Sequence, residues 1–158
     1  MKKKSLIIAT IIVIIDQVLK IVIDNILSIN ESTQVIPNVF YITKVYNTGA
    51  AWSLFEGSGI LLIIIAIVAF FLLLKYQNYF MENKRNILAF ALIYGGLVGN
   101  LIDRVIYGYV IDYLHIYIFG FSFPVFNLAD MAIVIGFLLV IIAIIKGEEH
   151  DSSKQRGK

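Results

Sequence analysis

The sequence predicts an all-α integral membrane protein with four transmembrane helices, on three observations. Hydrophobic residues make up 59% of the 158-residue chain and the mean hydropathy is +0.86, far above what a soluble globular chain shows. Four apolar runs, at about residues 5–27, 58–76, 86–107 and 127–146, approach the roughly 20 residues that cross the hydrocarbon of a bilayer. The basic residues gather on one side of those runs.

The first run follows a basic cap, Lys2, Lys3 and Lys4, and is interrupted by Asp16, Gln17 and Lys20. A charged start and an apolar run also describe a secretory signal peptide, but no small-residue cleavage site follows, so an uncleaved span is expected. The second run is wholly apolar from Gly59 to Leu74 and reads as a lipid-facing scaffold. The third carries Gly95, Gly96 and Gly99, then Asn100, Asp103 and Arg104. The fourth bears one charge, Asp130, near its start.

Four spans put both termini on one side of the membrane. Lys75, Lys84, Arg85 and Lys146 join the amino-terminal lysines there, whereas the opposite loops hold only Lys44. By the positive-inside rule both termini are cytoplasmic and residues 28–58 and 108–126 lie outside. In the first outer loop, residues 34–47 are dense in β-branched and aromatic side chains, which suggests one or two short strands with a turn at Pro37 and Asn38. The stretch NTGAAWSLFEG then reads as a turn and a short amphipathic segment, with Trp52 and Phe55 at headgroup level. Residues 1–158 form one membrane domain, with a disordered tail over about 147–158.

Composition excludes several functions. The net charge of +2 makes no case for nucleic acid. Without cysteine there is no thiol nucleophile, disulfide or thiolate metal site, and His115 and His150 alone do not suggest a metal. No cofactor is expected.

The candidate site is a carboxylate pair. Asp112 and Asp130 stand alone in apolar surroundings at the edge of the membrane, where an ionisable group is costly and reads as functional by default. At about 1.5 Å per residue, Asn100 and Arg104 sit roughly 20 to 25 Å up the third span, in the outer leaflet. Asp130 lies about a turn below the outer surface, Asp112 is level with it, and Asn47 can reach them from the first loop. Two carboxylates in contact cannot both ionise, so the pair holds an acid and a base at one pH. The ionised member would take a proton from water attacking a scissile carbonyl, while the protonated member bonds the carbonyl oxygen and later helps the amine leave. The expectation is a membrane aspartic peptidase at the outer face.

Plainer readings stand beside it. Asp16 and Lys20, spaced i and i+4, neutralise one another within the bundle. Arg104 snorkels to headgroups while Asp103 braces a neighbour, a reading weighed evenly against substrate binding. The three glycines permit close helix packing, and Asn100 and Asn127 serve as glue between helices. A proton-conducting relay through Asp16, Asp103 and Asp130 is the competing function, and a scaffold subunit is a third.

Four stretches carry a resemblance: DQVLK at residues 16–20, YNTGAAWS at 46–53, GGLVGNLIDRVIYGYVIDYL at 95–114 and FPVFNLADMAI at 123–133. Together, in this order and over most of the chain, they resemble the bacterial lipoprotein signal peptidase family, signal peptidase II. The resemblance implies four helices, a small extracytoplasmic β-rich cradle and a short interfacial helix. It implies catalysis by Asp112 and Asp130, surrounded by Asn47, Asn100, Arg104 and Asn127, with Asp16, Lys20, Gly49 and Asp103 in support. It also implies a monomer in the bacterial cytoplasmic membrane, among membrane lipids, that cuts prolipoproteins just before a diacylglyceryl-modified cysteine and is inhibited by globomycin-type compounds. Met131 departs from the family pattern, which leads one to expect a small residue such as serine there.

Overall fold

A computed structural model describes residues 1–49 and 56–149. Four long helices, α1 (Lys2–Ile26), α2 (Gly59–Tyr76), α3 (Lys84–Tyr107) and α4 (Leu128–Ile145), each fall within a stretch long and apolar enough to cross a membrane. The expectation of an all-α chain needs correcting. Strands β1 (Ser32–Ile36), β2 (Phe40–Asn47), β3 (Val110–Ile118) and β4 (Phe121–Ser122) form one antiparallel sheet in the order β1-β2-β3-β4. Because β1 and β2 follow α1 while β3 and β4 follow α3, the sheet joins two segments distant in sequence. The short interfacial helix expected around Trp52 and Phe55 lies outside the described residues.

Helix α3 is the axis of the bundle and packs against both α1 and α4. It starts at Asn83, whose side chain accepts the Asn86 backbone N–H at 2.8 Å, and stops at Gly108 in the left-handed conformation, φ 80°. Its small residues let neighbours approach: a Cβ at Gly99 would stand 2.6 Å from Asp16 Oδ2, and one at Gly95 would stand 2.7 Å from Ile12. By contrast α2 has no buried residue, as its sequence, wholly apolar up to Leu74, predicts for a helix facing lipid.

The sheet is fastened to α1 by Lys44, the one basic residue of the α1–α2 and α3–α4 connections. Its ammonium donates to the carbonyls of Asp24 (2.8 Å) and Leu27 (2.9 Å) and pairs with the Asp24 carboxylate at 2.7 Å. A cation is thereby set on the negative end of the helix dipole, where it is favoured. At the opposite end of the bundle, Glu82 pairs with Lys4 at 2.7 Å, and Arg85 and Asn83 both bind Glu148. The stretch expected to be disordered from residue 147 therefore begins in an ordered conformation, with Met81 N–H donating to Glu148 O at 2.8 Å.

Candidate active site

Lys20 organises the end of the bundle nearest the sheet. It is 1% exposed, and its three N–H donors meet three acceptors: Asp16 Oδ2 and Asp103 Oδ2, each at 2.8 Å, and Asn100 Oδ1 at 3.0 Å. The predicted pairing of Asp16 with Lys20 is present, and Asp103 completes it. Each carboxylate also accepts a backbone N–H. Ala129, at the start of α4, donates to Asp16 Oδ1 at 3.0 Å, and Ile111 of β3 donates to Asp103 Oδ2 at 3.3 Å. One buried cation so ties α1, α3, α4 and the sheet together. A buried charge cluster of this kind is tolerable only because its hydrogen-bonding capacity is met.

Above this cluster Asn100 and Asn127 carry the network to the two candidate aspartates. With its oxygen turned to Lys20, the Asn100 amide directs Nδ2 to Asp130 Oδ1 at 2.7 Å. Asn127 is the N-cap of α4 and forms a capping box with Asp130: its Oδ1 accepts the Asp130 N–H at 2.9 Å, and its own N–H donates to Asp130 Oδ2 at 3.2 Å. Its Nδ2 is then free to donate to Asp112 Oδ1 at 2.6 Å and to Asn100 Oδ1 at 3.1 Å. From the first loop, Asn47 Nδ2 donates to Asp112 Oδ2 at 2.8 Å, while its Oδ1 accepts the Gly49 N–H at 2.9 Å in an Asx turn.

Arg104 points away from Asp103, as adjacent helical positions require. Instead of snorkelling to headgroups, it donates Nη2 to Gly49 O at 2.9 Å and Nη1 to Asn100 O at 3.3 Å, holding the loop over the site. Asn47, Asn100, Arg104, Asp112 and Asp130 line one cavity of about 660 Å³. Its other walls are apolar: Leu62, Ile65 and Ala66 from α2, Val134 and Ile135 from α4, and the segment 123–126. Such a slot accepts a greasy, extended ligand with its reacting group against the polar end.

Burial pushes the Asp112 carboxyl up to about 7, and the nearby Asp130 carboxylate pushes in the same direction against the two amide donors. Near neutral pH the Asp112 carboxyl is therefore poised between its protonated and ionised forms, with the Asp130 carboxyl in the same pocket. Among the described residues no cluster of His, Cys, Asp or Glu converges as a metal site.

The structure thus brings every singled-out polar residue to one end of the bundle. Asp16 and Asp103 are tied to the Lys20 ammonium instead of lining a path to Asp130, which removes the spacing a proton relay needs. Sequence reasoning missed Gln17, whose Nε2 donates to Asp103 Oδ1 at 2.8 Å and to Gly99 O at 3.2 Å. Its spacing of i, i+3 from Lys20 put both on one helix face and was the available signal.

The sequence profile of the signal peptidase (SPase) II family matches residues 8–146. A lipoprotein signal peptidase of Staphylococcus aureus strain MRSA252 is 39% identical over 157 residues, covering 96% of this chain and 93% of that protein. Another, from strain JH9, is 38% identical with the same coverage. A bacterial membrane enzyme solved by the in meso method at 2.3 Å resolution superposes with a TM-score of 0.81 at 37% identity, covering 94% of this chain and 93% of that one. A second, solved at 1.9 Å, gives 0.76 at 38% identity, over 90% and 92%.

Proposed function

The chain belongs to the signal peptidase II family, and on that premise we propose that it is an aspartic endopeptidase removing signal peptides from diacylglyceryl-modified prolipoproteins, cutting just before the lipidated cysteine. The observation that carries the mechanism is that Asp112 and Asp130 are both held by Asn127 and open on one cavity. The pair titrates jointly and enters the reaction with one proton, burial holding the Asp112 carboxyl up near 7. A water between the two loses a proton to the ionised carboxylate as its oxygen bonds the scissile carbonyl carbon. The protonated carboxyl donates to the carbonyl oxygen and stabilises the tetrahedral intermediate. As the C–N bond breaks, the leaving nitrogen takes a proton from the pair and the dyad returns to its starting charge.

Around that chemistry, Asn47, Asn100 and Asn127 orient the carboxylates, Arg104 and Gly49 hold the first loop over them, and Asp16, Lys20 and Asp103 brace the base of the site. The apolar cavity walls suit a diacylglyceryl group and an extended signal peptide, and globomycin-type inhibitors would occupy the same slot. Both termini lie in the cytoplasm with the site at the extracytoplasmic face, an orientation the Lys and Arg distribution supports. The protein acts as a monomer in the bacterial cytoplasmic membrane.

Purified protein mixed with a precursor bearing or lacking the diacylglyceryl group tests this reading. Cleavage of the lipidated form alone, at the bond before cysteine by mass spectrometry, is expected. Equal cleavage of both forms, or of neither, contradicts it.

A further inference from the structure

Two hairpin tips lie side by side at the end of the sheet away from the carboxylates. The Tyr117 N–H donates to Val39 O at 2.8 Å, bringing the β1–β2 turn against the end of β3. The large apolar side chains at this end are open: Val35, Ile36, Val39 and Ile118 are about half exposed, Phe121 is 65% exposed and Phe119 is 106% exposed. No Asp, Glu, Lys or Arg occurs between Glu31 and Lys44 or between Asp112 and Asp130. His115, the one imidazole in those stretches, is held toward its neutral form by burial.

The turn itself is unusual. Phe119 and Gly120 connect the paired residues Ile118 and Phe121 with φ of 50° and 80°, the left-handed combination of a two-residue type I′ hairpin. Asparagine, aspartate and glycine adopt the first position readily, whereas a phenylalanine does so against steric resistance. Full exposure means that Phe119 gains no packing within the described residues in return.

The path of β3 shows what lies beneath the tip. Ile111 bonds Asp103 of α3, two residues later the Tyr113 hydroxyl accepts the Leu128 N–H at the start of α4 (3.3 Å), and Leu114 bridges to Phe126. The strand therefore crosses the end of the bundle from α3 to α4. Four more residues at about 3.3 Å each carry the strand roughly 13 Å from Leu114 to Ile118, past the start of α4. Outside that helix, whose exposed side chains include Val134, Leu138 and Ile141, the surroundings are lipid.

We propose that the β3–β4 tip, with the β1–β2 turn beside it, is an interfacial anchor that seats the sheet in the headgroup and upper acyl region of the bilayer. Uncharged aromatic and branched side chains around a turn suit that layer. This anchor does not depend on the peptidase reading.

The chain contains no cysteine, so Phe119→Cys can carry a single nitroxide. In phosphatidylcholine–phosphatidylglycerol vesicles, its collision rates with oxygen and with an aqueous nickel chelate are compared with those at Ile64→Cys on α2 and Glu31→Cys in the outer loop. An unchanged thermal midpoint in detergent verifies the fold of each variant. An oxygen-to-nickel ratio near that at position 64, several-fold above that at position 31, is expected. Nickel access equal to that at position 31 overturns the proposal. Low access to both reagents also overturns it, pointing to a second copy where spin–spin broadening grows with protein density and to other protein packing where it does not.

Discussion

Asn127 and Asp130 cap each other at the first turn of α4, each side chain accepting the other's backbone N–H at 2.9 and 3.2 Å. This reciprocity fixes the polarity of the Asn127 amide, so its nitrogen is presented to Asp112 at 2.6 Å. Helix capping and the alignment of the two candidate catalytic carboxylates are therefore one structural device.

The two roles separate by substitution. Asn127→Ser keeps an N-cap acceptor but removes the amide donor, and kcat/KM is expected to fall at least about tenfold, the loss of one charge-assisted hydrogen bond of roughly 1.5 kcal/mol or more. Asn127→Ala removes the cap as well and lowers stability by about a further 1 kcal/mol. Thermal unfolding in detergent alongside the cleavage assay checks both.

The Asp112 carboxyl at about 7 predicts an alkaline limb near pH 7 in the profile of kcat/KM, where the pair loses its shared proton. The stability sign follows from the same shift. The folded value lies above the ordinary 3.8, so the folded state binds more protons than the unfolded state between those values. This contribution is fully present below about pH 4 and is lost as pH rises toward 7. Asp112→Asn should accordingly be at least as stable as the parent at pH 8, measured by thermal midpoints across pH.

Lys20→Met leaves Asp16 and Asp103 buried without their cation and is expected to cost about 3–5 kcal/mol. Neutralising one partner in the same background, Lys20→Met with Asp103→Asn, should recover part of that loss. Denaturant unfolding of the two variants in micelles measures it.

Gly99→Ala places a methyl group 2.6 Å from Asp16 Oδ2. Helices α1 and α3 must separate to admit it, which destabilises by about 1–3 kcal/mol as overpacking does. Gly120→Ala meets no neighbouring atom but demands a left-handed φ of 80°, so its effect should come from backbone strain alone and be smaller. Paired thermal midpoints distinguish the two.

The spans were legible because four apolar runs have no soluble alternative, and Asp112 and Asp130 were legible because an isolated carboxylate there is conspicuous. Strand β3 was not, although it carries Asp112. Its first four residues are all buried, so the alternation that marks a half-buried strand is absent from VIDY. The turn at Pro37 and Asn38 was readable, since β1 ends at Ile36 and β2 begins at Phe40, with Asn38 at φ 59°. Lys44 counted only as a topological charge, because its use as a cap on α1 depends on a sheet whose pairing is non-local. Asn127 was weighed as glue between helices. Its position three residues before Asp130 was a capping-box signal, and the donor it offers Asp112 could be seen only after folding.

The most direct test is single-turnover cleavage of a lipid-modified precursor by Asp112→Asn and by Asp130→Asn, each compared with the parent at pH 6 to 8 and verified as folded by its thermal midpoint. An amide can neither take nor give the required proton, so both variants are expected to bind the precursor and leave it uncut. Turnover within about tenfold of the parent by either folded variant would contradict the two-carboxylate mechanism.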